Sequence, residues 1–250
     1  MTASNPIAIL SALAEEQQGL VDQLQNPRCV QYAGRNFWVG QLHGQSVVLA
    51  LSRIGKVAAT TTAAALIAHF QVRAIVFTGV AGGVGAGVQV GDVVVASGFV
   101  QHDMDASPLF PKYEIPLTGQ SVYATDPTLT SALQKVCESS LVEVRHHDRQ
   151  PRLHYGLIVT GDRFVNGALE VRAMVEALLA HGHAALAVEM EGAAVAQVCS
   201  DYGIPFAAVR TISDRADDSA HVDFPVFVRD VASVYASRIV RALLDLLPKS

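Results

Sequence analysis

Cysteine is scarce in this 250-residue sequence: Cys29, Cys137 and Cys199 are far apart and odd in number. Without a CxxC spacing or an even set, neither a disulfide framework nor a zinc site is indicated, and a reducing cytoplasm is the expected compartment. Charge is scarce too, with 16% Asp, Glu, Lys and Arg, a formal net charge of −5 and no Lys/Arg cluster. Such a balance gives no electrostatic support for nucleic acid or a membrane surface as partner. The most apolar region, Ile75 to Val100, is broken by seven glycines and Asp92, so no spanning helix is expected. Residues 1–6 lack the basic start of a signal peptide. The motifs GxSxG, HExxH and GxxxxGK[ST] are also missing, which removes the nucleophile elbow, the zinc-protease helix and the P-loop.

What is present is a half-apolar, glycine-rich chain, the composition of a compact α/β domain whose ligand is small. Short Val/Ile segments alternate with Ala-rich amphipathic ones, which predicts a mostly parallel sheet in one domain over residues 1–250. Strands are expected at Ile7–Leu10, Asn36–Leu42, Ser46–Leu51, Arg73–Phe77, Asp92–Ala96, Leu153–Val159, Ala187–Glu189 and Phe206–Ile212. Helices are expected from Glu15 through Leu24, over Val57–Phe70, from the Asp126-Pro127 cap to Ser140, and over Ala168–Ala180, Glu191–Tyr202 and Phe224–Leu247. Thr78 to Gly87 reads as a glycine loop that either lets backbone approach a ligand or turns tightly. It carries no GxGxxG, and a strand follows where a dinucleotide site needs a helix.

Candidate chemistry gathers after strands. The run Ala187-Val188-Glu189-Met190-Glu191 and the run Val209-Arg210-Thr211-Ile212-Ser213-Asp214 each lead an apolar segment into charged groups. Burying carboxylates there is costly unless something uses or pairs them, and α/β sites form beyond the carboxyl ends of strands. Glu16 sits after the first strand, where it could instead be an acidic first-turn residue favoured by a helix dipole. With no Ser or Cys nucleophile in evidence, acid–base chemistry between carboxylates is the expected kind. One protonates a leaving group, another activates water, and Phe164 could stack on a planar base. His102, Asp103 and Asp105 could be drawn as metal ligands, but no second cluster of matching spacing accompanies them.

The segments Ser11–Glu16, Ile54–Ala59, Thr78–Gly83, Val90–Asp92, Gly161–Phe164, Val188–Glu191 and Arg210–Asp217 together resemble the 5′-methylthioadenosine/S-adenosylhomocysteine nucleosidases of the purine nucleoside phosphorylase superfamily. The resemblance implies an α/β domain with a central mixed, barrel-like sheet flanked by helices. It also implies a homodimer, hydrolysis of the adenine N-glycosidic bond without metal or organic cofactor, and a place in nucleoside catabolism and methionine salvage. Carried over by motif, Asp214 is the general acid at adenine N7, oriented by Ser213. Glu16 activates the attacking water with help from Arg210. Glu191 grips the ribose hydroxyls, Met190 packs on the sugar, Phe164 stacks on the base and the Val165 backbone reads its edge. Ile54, Phe224 and the neighbouring subunit's Ala106–Phe110 segment would enclose the 5′ group. Asp214 must then be protonated and Glu16 ionised.

Three positions depart from the family pattern. Val80 stands where the superfamily usually has Ser, a loss that weakens a phosphate site more than a water site. Arg53 replaces a residue that is usually small; a cation there could attract phosphate or pair with a surface acid. The segment from Met104 to Pro116 is unlike the commonest bacterial form, which leaves the 5′ specificity open. Alternatives to the hydrolase are a phosphate-dependent phosphorylase, a nucleosidase for another 5′-modified adenosine such as aminodeoxyfutalosine, and a non-catalytic nucleoside-binding module.

Overall fold

A computed structural model describes residues 5–17, 19–142, 149–216 and 227–249. The elements in order are β1 (Ile7–Ser11), β2 (Gln25–Tyr32), β3 (Arg35–Leu42), β4 (Gln45–Leu51), α1 (Lys56–Ala68), β5 (Ala74–Gly83) and β6 (Val93–Gln101). They continue with β7 (Tyr123–Ala124), α2 (Pro127–Leu141), β8 (Leu153–Thr160), α3 (Ala168–Ala180), β9 (Ala185–Glu189), α4 (Gly192–Tyr202), β10 (Phe206–Asp214) and α5 (Ser233–Leu246).

The ten strands among the described residues join one sheet in the order β10-β6-β8-β9-β5-β1-β4-β3-β2, with β7 added on β6. A further β10–β5 pairing closes β5, β10, β6, β8 and β9 into a five-stranded ring. β1 is parallel to β4 and β5, and β8 is parallel to β6 and β9. β6 runs against β10, and β9 against β5. The mostly parallel sheet expected from the β–α alternation is thus corrected to a mixed one, because composition sets burial and not strand direction; the resemblance to nucleosidases had implied the mixed barrel.

Period-two alternation explains the two-sided core. Along β1, Ala8 and Leu10 face a cluster with Ala59, Ala63 and Leu66 of α1 and Val195 and Cys199 of α4. Ile7 and Ile9 face the other cluster, with Leu133 and Val136 of α2 and Ile239 and Leu243 of α5. Buried on both faces, such strands read as continuous apolar runs. Asp126 caps α2 as expected, its side chain accepting from Leu129 N–H. Gly203, at φ 64°, ends α4 in the left-handed conformation that favours glycine.

Three elements differ from expectation. The helix predicted from Glu15 is a single 3₁₀ turn, Glu15–Gln17, after which turns bury Leu20 and Leu24. Gln17 pins it by donating to Ile9 O and Ala50 O at 3.2 and 2.7 Å. The glycine stretch after Phe77 is a continuation of β5 as far as Gly83. The unforeseen β2 is a polar edge strand with a bulge around Pro27, so it carries no apolar signal. The C-terminal helix is described from Phe227, opening with a π-helical turn, Val228–Ala232.

Candidate active site

The carboxyl ends of β1, β9 and β10, together with late β5 and the loop after β8, enclose a cavity of about 160 Å³. Glu16, Ile54, Val80, Phe164, Val165, Met190, Glu191, Ser213 and Asp214 all line it, with Ala12, Leu13, Gly82, Arg163, Val188 and Glu189 beside them. Residues from positions as far apart as 16 and 214 therefore share one cavity. Phe224 lies outside the described residues. Ala106–Phe110 does not line this chain's own cavity, and Leu109 is 84% exposed.

Two of the three glycines of β5 stand against the carboxylates. A Cβ at Gly79 would stand 2.9 Å from Glu16 Oε1, and one at Gly82 would stand 3.0 Å from Asp214 Oδ1. Side chains there would push both acids away. The two glycines are three residues apart on β5, so the strand meets Glu16 at one point and Asp214 at another.

Glu16 is almost fully buried, and its carboxylate accepts from three backbone N–H groups: Ala12 and Leu13 at 2.8 and 2.9 Å, and Val80 at 3.1 Å. Burial pushes its pKa up; the Leu13 N–H, the charge of Arg210 and the other two amides only partly oppose this. Val80 thus meets Glu16 through its backbone, a contact that any side chain permits. Glu191 accepts from Gly55 N–H at 2.8 Å through Oε1. Burial, reinforced by the charge of neighbouring Glu189, raises its pKa to about 8.

Arg210 is 1% exposed and is not among the cavity-lining residues. Its guanidinium donates to Glu189 Oε2 at 2.8 Å and to Phe77 O at 3.1 Å, and lies 4.1 Å from the Phe77 ring centroid. Glu189 also accepts from Thr160 Oγ1 and from Gly192 N–H. Arg210 is expected to assist Glu16; its direct partner is Glu189, and it reaches Glu16 through its field. Asp214 accepts from Ser213 Oγ at 2.8 Å and from Ala216 N–H at 2.7 Å, so both its oxygens are oriented.

Sequence reasoning passed over Gly55, Ala12 and Leu13, which act through backbone amides, and Glu189 as the anchor of Arg210. Glu189 had a signal, since it shares a strand end with Glu191. The other acids of this region are engaged elsewhere. Asp103 accepts from Lys56 Nζ at 2.7 Å and from Asp162 N–H at 2.9 Å, Asp105 is bound by Ser107, and the His102 ring packs on Gly161.

Residues 6–245 match the family model of the phosphorylase superfamily. A 5′-methylthioadenosine/S-adenosylhomocysteine nucleosidase of Chromohalobacter salexigens is 36% identical over 241 residues, covering 96% of this chain and 97% of its own. The crystal structure of the nucleosidase of that name from Neisseria meningitidis, in complex with methylthio-immucillin-A, superposes with a TM-score of 0.88 at 31% identity, covering 98% of this chain and all of the other. Futalosine hydrolase of Helicobacter pylori superposes with a TM-score of 0.85 at 31% identity, over 97% of this chain and 98% of its own. With its cavity acids seated on the glycines of β5 and this likeness running almost end to end, the chain belongs to the 5′-methylthioadenosine/S-adenosylhomocysteine nucleosidase family of the phosphorylase superfamily.

Proposed function

We propose that this enzyme hydrolyses the N-glycosidic bond of 5′-methylthioadenosine, S-adenosylhomocysteine or both, releasing adenine. The observation that carries the reading is that Glu16, Asp214 and Glu191 line one cavity, the first two each set against a glycine of β5. An acid on the leaving-group side and a base on the water side of one bond is the arrangement that inverting hydrolysis uses.

Asp214, oriented by Ser213, delivers a proton to adenine N7 as the C1′–N9 bond breaks and its electron pair passes into the base. Glu16 takes a proton from water as the water oxygen bonds to C1′. Its raised pKa makes it a stronger base once ionised, and the three amides around it favour that ionised form. Glu191, with one oxygen held by Gly55, presents the other to the ribose hydroxyls, an interaction that strengthens as positive charge grows on the sugar. Arg210 moderates the negative charge of the site from behind Glu189. Phe164 stacks on the base, the Val165 backbone reads its edge and Met190 packs on the sugar. No step passes through a metal or cofactor.

The 5′ group would lie against Ile54, which is 58% exposed, and would be covered by Phe224 and by Ala106–Phe110 of a second subunit in a homodimer. Among the described residues no helix is long and apolar enough to cross a membrane, and the three unpaired cysteines suit a cytoplasmic protein.

The test is adenine release from methylthioadenosine in phosphate-free buffer and again with phosphate, followed by chromatography of the sugar. Free methylthioribose in both is expected. A sugar 1-phosphate formed only with phosphate would make the enzyme a phosphorylase, and turnover of aminodeoxyfutalosine alone would move the substrate to the futalosine-type branch. Binding of adenosine analogues with no release of adenine from any of these nucleosides would leave only a binding module.

A further inference from the structure

Arg53 has no part in the reaction above, and the structure places it beside a second cavity. This one is larger than the first, about 400 Å³ against about 160 Å³, and its walls include Gln17, Asp22, Arg35, Trp38, Leu51 and Arg53. Two guanidinium groups on one cavity wall call for an anion. Neither Arg35 nor Arg53 has an ion-pair partner among the described residues. Asp22, also on the wall, is exposed and not within pairing distance of either.

Their known partners are neutral. Arg35 donates to Ala33 O at 2.8 Å and Ala58 O at 3.1 Å, and Arg53 donates to Gly34 O. Backbone carbonyls take up hydrogens without cancelling charge, and Arg35 Nε remains buried with no hydrogen-bond partner. Burial, and then the charge of Arg53, holds the pKa of Arg35 below the ordinary arginine value. Arg53 also occupies the left-handed backbone region at φ 64°, which costs a non-glycine residue on the order of 1 kcal/mol. Two arginines lining one cleft, Arg53 exposed and on a left-handed backbone and Arg35 half-buried, suit an oxyanion, because guanidinium donors match phosphate oxygens two at a time.

We propose that this second cavity binds a phosphate group, free or as a small phosphomonoester, between Arg35 and Arg53. Leu51 and Trp38 supply apolar and aromatic wall for the organic part of an ester. The site is separate from the catalytic cavity yet built on the same two segments: Glu16 precedes Gln17, and Ile54 and Gly55 follow Arg53. Because Gly55 N–H holds Glu191, drawing Arg53 onto an anion adjusts the ribose-binding carboxylate. Occupancy therefore changes KM for the nucleoside and leaves the sugar product unphosphorylated.

Trp38 is the chain's single tryptophan, so its emission reports on this cavity alone. The intact protein is titrated with inorganic phosphate, and separately with ribose 5-phosphate, at constant ionic strength set with chloride. A saturable change in emission is expected. Arg53→Gly, which relaxes the left-handed backbone and so keeps the fold, should weaken the midpoint by roughly tenfold, the worth of a charge-assisted hydrogen bond; Arg35→Gln should do likewise. Tighter binding of the ester identifies an organic phosphate as the ligand, and tighter binding of phosphate identifies the free ion. No saturable change with either probe, or midpoints unaltered in both variants, overturns the proposal. So does phosphate binding that an adenosine analogue displaces competitively.

Discussion

Two sets of buried carboxylates in this molecule are treated in opposite ways. Asp92, at the start of β6 and outside the catalytic cavity, is wrapped in donors: Arg149 Nη1 at 2.7 Å, His154 Nε2 at 2.8 Å, Arg152 N–H at 2.9 Å and Gln89 N–H at 3.1 Å. Burial alone would raise its pKa, yet these partners hold it below the ordinary range. Glu16 and Glu191 are as little exposed but sit deeper, and among the described residues they receive backbone amides and no cation in direct contact, and both are pushed up. The buried cation nearby, Arg210, is paired with Glu189. The carboxylate that staples β6 to β8 has cations in contact, whereas the two proposed to exchange a proton and to meet a sugar have backbone amides instead.

The largest effect that would sharpen this contrast is on Asp214. Replacing it by Asn removes the transferable proton but keeps the shape that Ser213 and Ala216 hold. kcat for methylthioadenosine should fall roughly a thousandfold with adenosine-analogue affinity little changed; steady-state kinetics and calorimetry check this.

Asp92→Asn should act on the other ledger. Losing one member of a buried ion cluster costs about 3 kcal/mol, a fall of roughly 6–12 °C in Tm, while kcat of the folded enzyme stays close to wild type. Since the Asp92 pKa is lowered by folding, its contribution is present at neutral pH and is lost in acid, as pH falls from the ordinary carboxylate value through the folded one. The difference in Tm between wild type and variant should shrink accordingly below about pH 4.

Glu191→Gln gives the smaller and opposite signature. Folding raises this carboxyl from 4.5 to about 8, so its favourable contribution is complete below the lower value and is lost as pH rises through the higher one. Glutamine stays neutral throughout. The variant's Tm relative to wild type should therefore climb by several degrees between about pH 5 and pH 8.5 in scanning calorimetry, even as turnover falls. A flat difference would place Glu191 with Asp92, among the satisfied acids.

Much of this was legible in the sequence, for reasons that can be named. β1 and β10 are short apolar runs that deliver Glu16 and Asp214 at their ends, and α2 carries its own Asp-Pro start signal. The acids were visible because charge at the end of a buried strand is costly. The structural role of the β5 glycines was not, since a glycine that makes room for a carboxylate folded against it from another segment looks the same in sequence as one in a turn. Nor was the Arg210–Glu189 pair, because sequence shows which charges are buried together but not which two of four will touch. β2 was silent: an edge strand with exposed polar faces leaves no periodic apolar trace.

The most direct test joins stability and activity in one variant, Glu16→Gln. Glu16 is held by three backbone amides and has no cation in ion-pair contact among the described residues, so on the proposed role the variant should lose at most a few degrees in Tm at pH 7 while kcat/KM for methylthioadenosine drops about a hundredfold or more. A variant that melts several degrees lower and still releases adenine at near wild-type rate would contradict it, and would make Glu16 a structural carboxylate of the Asp92 kind.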